Sequence, residues 1–175
     1  APGYARIAAT FSDAQVRELL DNLARADDKE QRKFASRSPA ERDARREKSL
    51  RRAIERFTGP LTPAQRELLR EHVAASPSFV PEWLDNRRAW REALADALEH
   101  RRDGAGFASR MQVLVARPDE LWTPAYRAAV EQRRDALVDL MTGLDATLSP
   151  AQRAAAQREL LALADEVQDL ARRRG

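Results

Sequence analysis

The chain has 175 residues, of which 43% are hydrophobic and 34% charged, with no cysteine and a formal net charge of +3. This composition excludes disulfide and thiol chemistry and a disordered chain, and it contains no run near the roughly 20 apolar residues of a membrane span. Both signs of charge are interspersed, whereas a nucleic-acid surface usually concentrates one sign, so we expect no nucleic-acid partner.

A short phrase recurs along the chain and predicts where helices begin. Ser or Thr can act as the N-cap, Pro suits the first helical position, and Gln or Glu three residues after the cap can reach back to the N–H of the cap. The fourth copy departs from the phrase because Tyr126 stands where the others have Gln or Glu. The five copies are residues 12–15, 38–41, 62–65, 123–126 and 149–152.

Residues 12–58 predict two charged helices that meet at an elbow. Apolar residues nearly vanish between about residue 24 and residue 48, with Phe34 as the exception, and the pattern resumes through Ile54 and Phe57. Ser38-Pro39 interrupts the helical pattern, because the residue before Pro disfavours helix. Such a pair buries little apolar surface of its own, so we expect it to project partly from the body or to cover a partner.

Helical periods continue after Thr62 through several shorter segments and two long ones, residues 124–146 and 149–172. Only a few residues separate the two long segments, which predicts an antiparallel hairpin. Their apolar faces carry Tyr126, Val130, Leu137, Leu140, Met141 and Leu144, and then Ala156, Leu160, Leu163, Val167 and Leu170.

These patterns predict an all-α fold with about seven helices and no sheet, arranged as a multi-helix bundle of antiparallel helical hairpins. We expect a single helical domain over residues 1–175. Within it we expect an N-terminal arm at 1–11, the charged and partly projecting helix pair at 12–58, and a helical bundle at 62–175.

The two histidines do not predict a metal site. His72 lies on an apolar face and is expected to be a core or boundary residue. Glu92, Asp96 and His100 share one helix face, but zinc requires three or four convergent ligands, usually from more than one element. We therefore expect no bound metal and ordinary surface electrostatics around His100.

Nothing in the sequence specifies a reaction. No Ser has a G-x-S-x-G context, and the chain lacks a glycine-rich phosphate loop. Paired carboxylates occur throughout so charged a chain and do not indicate acid–base catalysis. We expect no enzyme activity, no catalytic residues and no cofactor.

Trp83, Arg87 and Trp90 fall on one helix face and have two interpretations. They can form a core stripe in which Arg87 stacks on Trp and extends its guanidinium to water. They can instead form an aromatic and Arg patch that holds an exposed peptide segment, since Trp and Arg are typical hot-spot residues.

Several segments, in this order, resemble a family of uncharacterised bacterial lipoproteins over nearly the whole chain. The segments are residues 50–59, 61–66, 83–88, 124–127 and 149–153. The resemblance implies the C-terminal part of a longer exported precursor, whose signal peptide and lipid-modified Cys precede this chain. It implies a periplasmic domain attached to the envelope by that lipid anchor alone, and it implies no known activity.

The recurring phrase is also similar to the LTxxQ repeat of small periplasmic stress chaperones, which form helical cradles that bind unfolded proteins without ATP. We therefore expect a non-catalytic protein-binding domain that binds unfolded or envelope proteins in a chaperone-like manner. A structural or scaffolding envelope protein with one specific partner is the alternative, and a nucleic-acid binder using Arg-rich helices is a third. The oligomeric state is left open.

The expected protein-binding residues lie on two surfaces. The first is the elbow, with Phe34, Ile54 and Phe57. The second is the face with Trp83, Arg87 and Trp90.

Overall fold

A computed structural model describes residues 3–174, and the side chains of residues 3–172. Within these residues the chain forms eight α-helices and one short 3-10 helix and no strand, which confirms the all-α fold. The elements are α1 Gly3–Ala9, α2 Asp13–Ala35, α3 Pro39–Thr58, α4 Pro63–Ala75, α5 Val80–Glu99, α6 Ala105–Ala116, the 3-10 helix Pro118–Leu121, α7 Pro124–Thr147 and α8 Pro150–Arg174.

The predicted helix starts are confirmed by the capping geometry. Ser12, Ser38 and Thr62 each accept the backbone N–H three residues later, and the Gln or Glu at that position accepts the N–H of the cap. Ser149 makes the same reciprocal pair with Gln152, at 3.2 and 3.1 Å. These bonds satisfy N–H groups that the first helical turn leaves without an intrahelical acceptor.

The chain divides into two compact units, each built from two separate segments. The chain up to Arg37 joins Ser78–Gln132 in unit 1, and Ser38–Pro77 joins the chain from Arg133 onward in unit 2. The predicted pair at 12–58 is therefore shared, with α2 in unit 1 and α3 in unit 2. The prediction of one domain over residues 1–175 stays a prediction.

Unit 1 has its core among α1, α2, α5 and α6. Phe107 is almost fully buried there, and α1, which lies in the segment predicted as an arm, contributes two buried alanines. The buried residues of this core are Ala5, Ala8, Val16, Leu94, Ala97, Leu98, Phe107, Met111 and Leu114.

Unit 2 has a smaller core that involves α3, α4, the α3–α4 connection and the second half of α7. α8 packs against α3 in this unit, as does α4. The antiparallel hairpin of α7 with α8 stays a prediction. The buried residues of this core are Ile54, Leu61, Leu69, Leu140 and Leu144.

Candidate protein-binding surfaces

The three elbow residues do not belong to one unit. Phe34 lies on α2 in unit 1 and is half-buried, whereas Ile54 and Phe57 lie on α3 in unit 2. Ile54 is 8% exposed and is part of the unit 2 core, so its side chain has little surface left for a partner. Phe57 is half-buried.

Each member of the Trp83, Arg87 and Trp90 face has a contact within unit 1. The guanidinium carbon of Arg87 lies 4.9 Å from the centre of the Trp83 ring, which is a cation–π distance. The indole N–H of Trp90 donates to the carbonyl of Leu114 at 3.1 Å, and the ring packs against the unit 1 core. The stacking of Arg on Trp is the geometry of the core-stripe interpretation; the protein-binding role of this face stays a prediction.

Asp27 of α2 links that face to a second arginine. Arg87 Nε lies 2.5 Å from one carboxylate oxygen of Asp27, and Arg91 contacts the other. The Asp27 side chain is only 13% exposed, so both ion pairs form where water screens them less than at an open surface. One carboxylate therefore fixes two arginines of α5 against α2.

Arg101 is a buried arginine, 8% exposed, just beyond the end of α5. It donates from Nε to the carbonyl of Phe11 and from Nη1 to the carbonyl of Leu98, both at 2.9 Å. Its Nη2 contacts Asp13, and this hydrogen bond and charge hold the pKa of the Asp13 carboxyl below its ordinary value. Arg101 thus joins the end of α5 to the start of α2.

Two copies of the recurring phrase meet in unit 2 through their glutamines. Gln65 Nε2 donates to Gln152 Oε1 and Gln152 Nε2 donates to Gln65 Oε1, both at 3.1 Å. Each Oε1 also accepts the N–H of its own cap, Thr62 or Ser149. Gln65 is 0% exposed and Gln152 9%.

The remaining donors of the two amides are also occupied. Gln65 Nε2 donates to the carbonyl of Thr147, and Gln152 Nε2 donates to the carbonyl of Pro60, both at 3.1 Å. A glutamine amide offers two N–H groups and two acceptor sites, so both buried amides are saturated. This pair therefore stabilises unit 2 and leaves no polar group for a ligand.

The fourth copy of the recurring phrase, which has Tyr126 where the others have Gln or Glu, uses an asparagine from another helix instead. Thr123 Oγ1 accepts the N–H of Tyr126 at 3.2 Å, and the N–H of Thr123 donates instead to Asn86 Oδ1 of α5 at 2.8 Å. The Tyr126 ring packs edge-on against Trp122, with centroids 5.2 Å apart, and lies 6.3 Å from Phe79. Thr123 thus caps the start of α7, and Asn86 of α5 takes the place of the missing glutamine as the acceptor for the N–H of the cap.

His72 is half-buried in unit 2, as expected of a boundary histidine. Burial, followed by the charges of Arg46 and Arg133, lowers the pKa of its imidazole from 6.5, and a hydrogen bond to the backbone of Ala136 opposes that shift. The neutral imidazole is therefore favoured in the folded state.

The residues around His100 contact one another and an arginine. His100 Nδ1 lies 2.9 Å from the carbonyl of Asp96, and Arg110 lies 3.8 Å from the Asp96 carboxylate. Glu92 is exposed on the same helix. Across residues 3–174, no group of three or more His, Asp or Glu side chains is placed to hold a metal ion.

Among residues 3–172, five of the exposed large hydrophobic side chains lie on α8, more than on any other helix, although the sequence predicted a packed face there. Every residue from Gln157 to Arg172 is exposed, including four of the five predicted to share that face. Leu160 is 56% exposed, Leu163 44%, Val167 57% and Leu170 58%, and Leu161 beside them is 67% exposed.

Sequence reasoning missed Asp27, Asn86 and Arg101, because long-range partners of polar side chains leave no periodic signal. It did place Gln65 and Gln152 as capping residues, but it did not predict that they pair with each other.

Comparison with known protein families assigns the chain to one of them. The model of a family of unknown function (DUF6279) matches residues 2–127, and the chain belongs to that family. No curated protein and no solved structure matches the chain. None of the helices described is both long and apolar enough to cross a membrane.

Proposed function

We propose that this chain is a non-catalytic protein-binding domain of an exported bacterial lipoprotein, and that it binds unfolded or envelope proteins in a chaperone-like manner. The observation that carries the proposal is the exposed apolar face of α8. Contiguous apolar surface on a folded domain typically marks a contact with protein or membrane.

The buried polar side chains support binding rather than catalysis. Gln65 and Gln152 are saturated by hydrogen bonds within unit 2, and Arg101 donates to two carbonyls and a carboxylate within unit 1. These are the groups that an active site would need to leave available to a substrate. Here they hold helix ends together.

Charged residues beside the α8 face fit a protein partner. Arg158 and Arg172 share the helix with the exposed leucines, and arginine next to apolar side chains is typical of protein interfaces. Glu159, Asp165 and Glu166 lie among them, so the surface carries both signs of charge. A mixed surface of this kind suits weak binding to varied segments.

The attachment to the envelope rests on the resemblance to lipoproteins carried by the segments at 50–59, 83–88 and 149–153. Metabolic labelling of the full-length precursor with a radioactive fatty acid tests it. Label retained on the mature protein in the membrane fraction is expected. An unlabelled protein that fractionates entirely with the cytoplasm would contradict the assignment.

An aggregation assay with a chemically unfolded client tests the binding function. We expect the intact domain to suppress light scattering, Val167→Ser on α8 to weaken the suppression, and Val115→Ser in unit 1 to leave it unchanged. The two valines are matched, since they are 57% and 50% exposed. Phe34→Ser and Trp90→Ser test the two surfaces predicted from sequence.

Failure of the intact domain to suppress aggregation at several-fold excess would end the chaperone interpretation. Capture of one envelope protein by the same α8 face would then favour the scaffolding alternative. A salt-dependent shift of DNA mobility would support the nucleic-acid alternative instead.

A further inference from the structure

The exposed residues of α8 follow the spacing of a coiled-coil seam. Ala156, Leu160, Leu163, Val167 and Leu170 are separated by alternating steps of four and three residues. Such steps place side chains at the a and d positions of successive heptads, where each inserts between residues of a facing helix. A seam of this kind can accept the apolar face of another helix.

The seam is unpaired along the whole exposed part of α8. From Ala156 to Leu170 it runs about 21 Å at 1.5 Å per residue. Most helical stability in water comes from packing an apolar face, and an isolated helix of about 15 residues is marginal. The helix after Gln157 therefore lacks the packing that stabilises most helices in water, and a partner on the seam would supply it.

From these observations we propose that the α8 seam binds the α8 seam of a second copy of this chain, as a parallel two-stranded coiled coil. This rests on the proposed function, in that the α8 face binds protein, and it names the partner. Leu163 and Leu170 take the d positions, with Leu160 and Val167 at the a positions. At the heptad of Val167 and Leu170, a β-branched residue at a is combined with Leu at d, and this combination favours two parallel strands.

Charges beside the seam favour the parallel orientation. Glu159 and Glu166 take the g positions, which in a parallel pair face the e positions of the partner, Ala164 and Ala171. In an antiparallel pair the a residues of one copy pack against the d residues of the other, for example Leu163 against Val167. This register would place Glu166 opposite Glu166 of the second copy. Like charges at these positions oppose pairing, so the sequence selects against that orientation.

A membrane surface fits the α8 seam less well than a second copy of the chain does. Helices that lie in a membrane interface are typically rich in Lys or Arg on the polar face. The polar positions of α8 between Arg158 and Arg172 carry Glu159, Asp165, Glu166 and Asp169. Flotation of the chain with anionic vesicles, lost in Leu163→Lys while the protein stays monomeric, would overturn the proposal in favour of lipid.

Sedimentation equilibrium tests directly whether two copies of the chain associate. We expect the chain to approach twice its mass of 19.8 kDa as concentration rises. Leu163→Lys should raise the dimer Kd by about tenfold or more, whereas the matched control Leu161→Lys, more exposed but off the seam, should leave it unchanged. A monomer at about 1 mM, or equal loss in both variants, would overturn the proposal.

Disulfide trapping tests the orientation, since the chain has no cysteine of its own. In a parallel, in-register pair Leu163→Cys and Leu170→Cys should each crosslink on oxidation, and Leu161→Cys should not. An antiparallel pair can align at most one of the two d positions with itself. Crosslinking of only one of them would overturn the parallel arrangement.

The aggregation assay on the same samples separates this inference from the proposed function. Suppression by a protein that stays monomeric at every concentration overturns the dimer and keeps the client function. A dimer that dissociates in Leu163→Lys but never suppresses aggregation supports the dimer and rejects the client function.

Discussion

Gln65 and Gln152 exchange a reciprocal pair of hydrogen bonds across 87 residues of sequence. Each glutamine also caps its own helix, so a single amide serves a local and a long-range contact at once. The starts of α4 and α8 are therefore held together by the same residues that begin those helices.

Replacing either glutamine should lower stability more than its capping role alone predicts. Gln65→Ala or Gln152→Ala leaves buried amide groups of the partner unpaired, and we expect a loss of about 1–3 kcal/mol in the free energy of unfolding by urea. Gln15→Ala is the control, since Gln15 belongs to an exposed capping box, and should cost about 0.5 kcal/mol. The double variant should lose less than the sum of the two single losses.

The caps themselves should contribute to stability without contributing to binding. Thr62→Ala and Ser149→Ala each remove an N-cap acceptor, and we expect each to cost about 1 kcal/mol in urea unfolding. Client binding by the folded fraction should be unchanged. A sharp fall in binding at an unchanged melting temperature would show that the repeats are functional motifs.

Asn86 should act as a capping residue for a helix other than its own. Asn86→Ala leaves the N–H of Thr123 without its acceptor, and we expect a loss of about 1 kcal/mol, as for a lost N-cap. Asn86→Asp keeps the acceptor oxygen and should be close to wild type.

Tyr126→Gln provides a second test of this cap, because it restores the glutamine of the other copies. Alone it should destabilise the protein through lost contacts with Trp122 and Phe79. Combined with Asn86→Ala it should cost less than the sum of the single changes. Strict additivity in a double-mutant cycle would show that Asn86 does not perform this role.

His72 should make stability depend on pH near neutrality. Because its pKa is lowered in the folded state, the unfolded chain binds more protons below pH 6.5, so its contribution is complete above that pH and is lost as pH falls. In His72→Gln, the midpoint of urea unfolding should change less between about pH 7 and pH 5 than it does in the wild type.

Trp90 should prove to be a core residue when it is replaced. Trp90→Ser removes a half-buried ring that packs against the unit 1 core, together with the hydrogen bond to Leu114, and we expect a loss of about 3 kcal/mol, the lower end of the range for a truncated Trp. Phe34→Ser removes a smaller ring that is not among the residues packed against that core, and it should cost less. Thermal unfolding checks both. A Trp90→Ser protein of unchanged stability that has lost client binding would place the binding site on this face.

Local patterns predicted the local structure well. The caps at Ser12, Ser38 and Thr62 follow from contacts between residues three apart, which the sequence displays directly. The pairing of Gln65 with Gln152 has no such signal, because Gln15 occupies the same position in its phrase and is exposed. Hydrophobic periodicity and capping motifs do not distinguish the buried site of Gln65 from the exposed site of Gln15.

The α8 face shows the limit of hydrophobic periodicity. The spacing of Leu160, Leu163 and Val167 predicted a helix here, and these residues do lie within α8. It also led to the expectation of a covered face, whereas these residues are exposed. A period describes a helix and contains no information about whether another element lies against it.

The way unit 2 is assembled affects where this protein can be cut. A fragment ending where the family model ends, at residue 127, would keep Thr62 and Gln65 but lose Thr147 and Gln152. The amide of Gln65 would then lack its long-range acceptors, and Leu61 and Leu69 would lose Leu140 and Leu144 as core neighbours. The segment that the family model matches is thus shorter than the segment that an expressed fragment must contain to keep unit 2 whole.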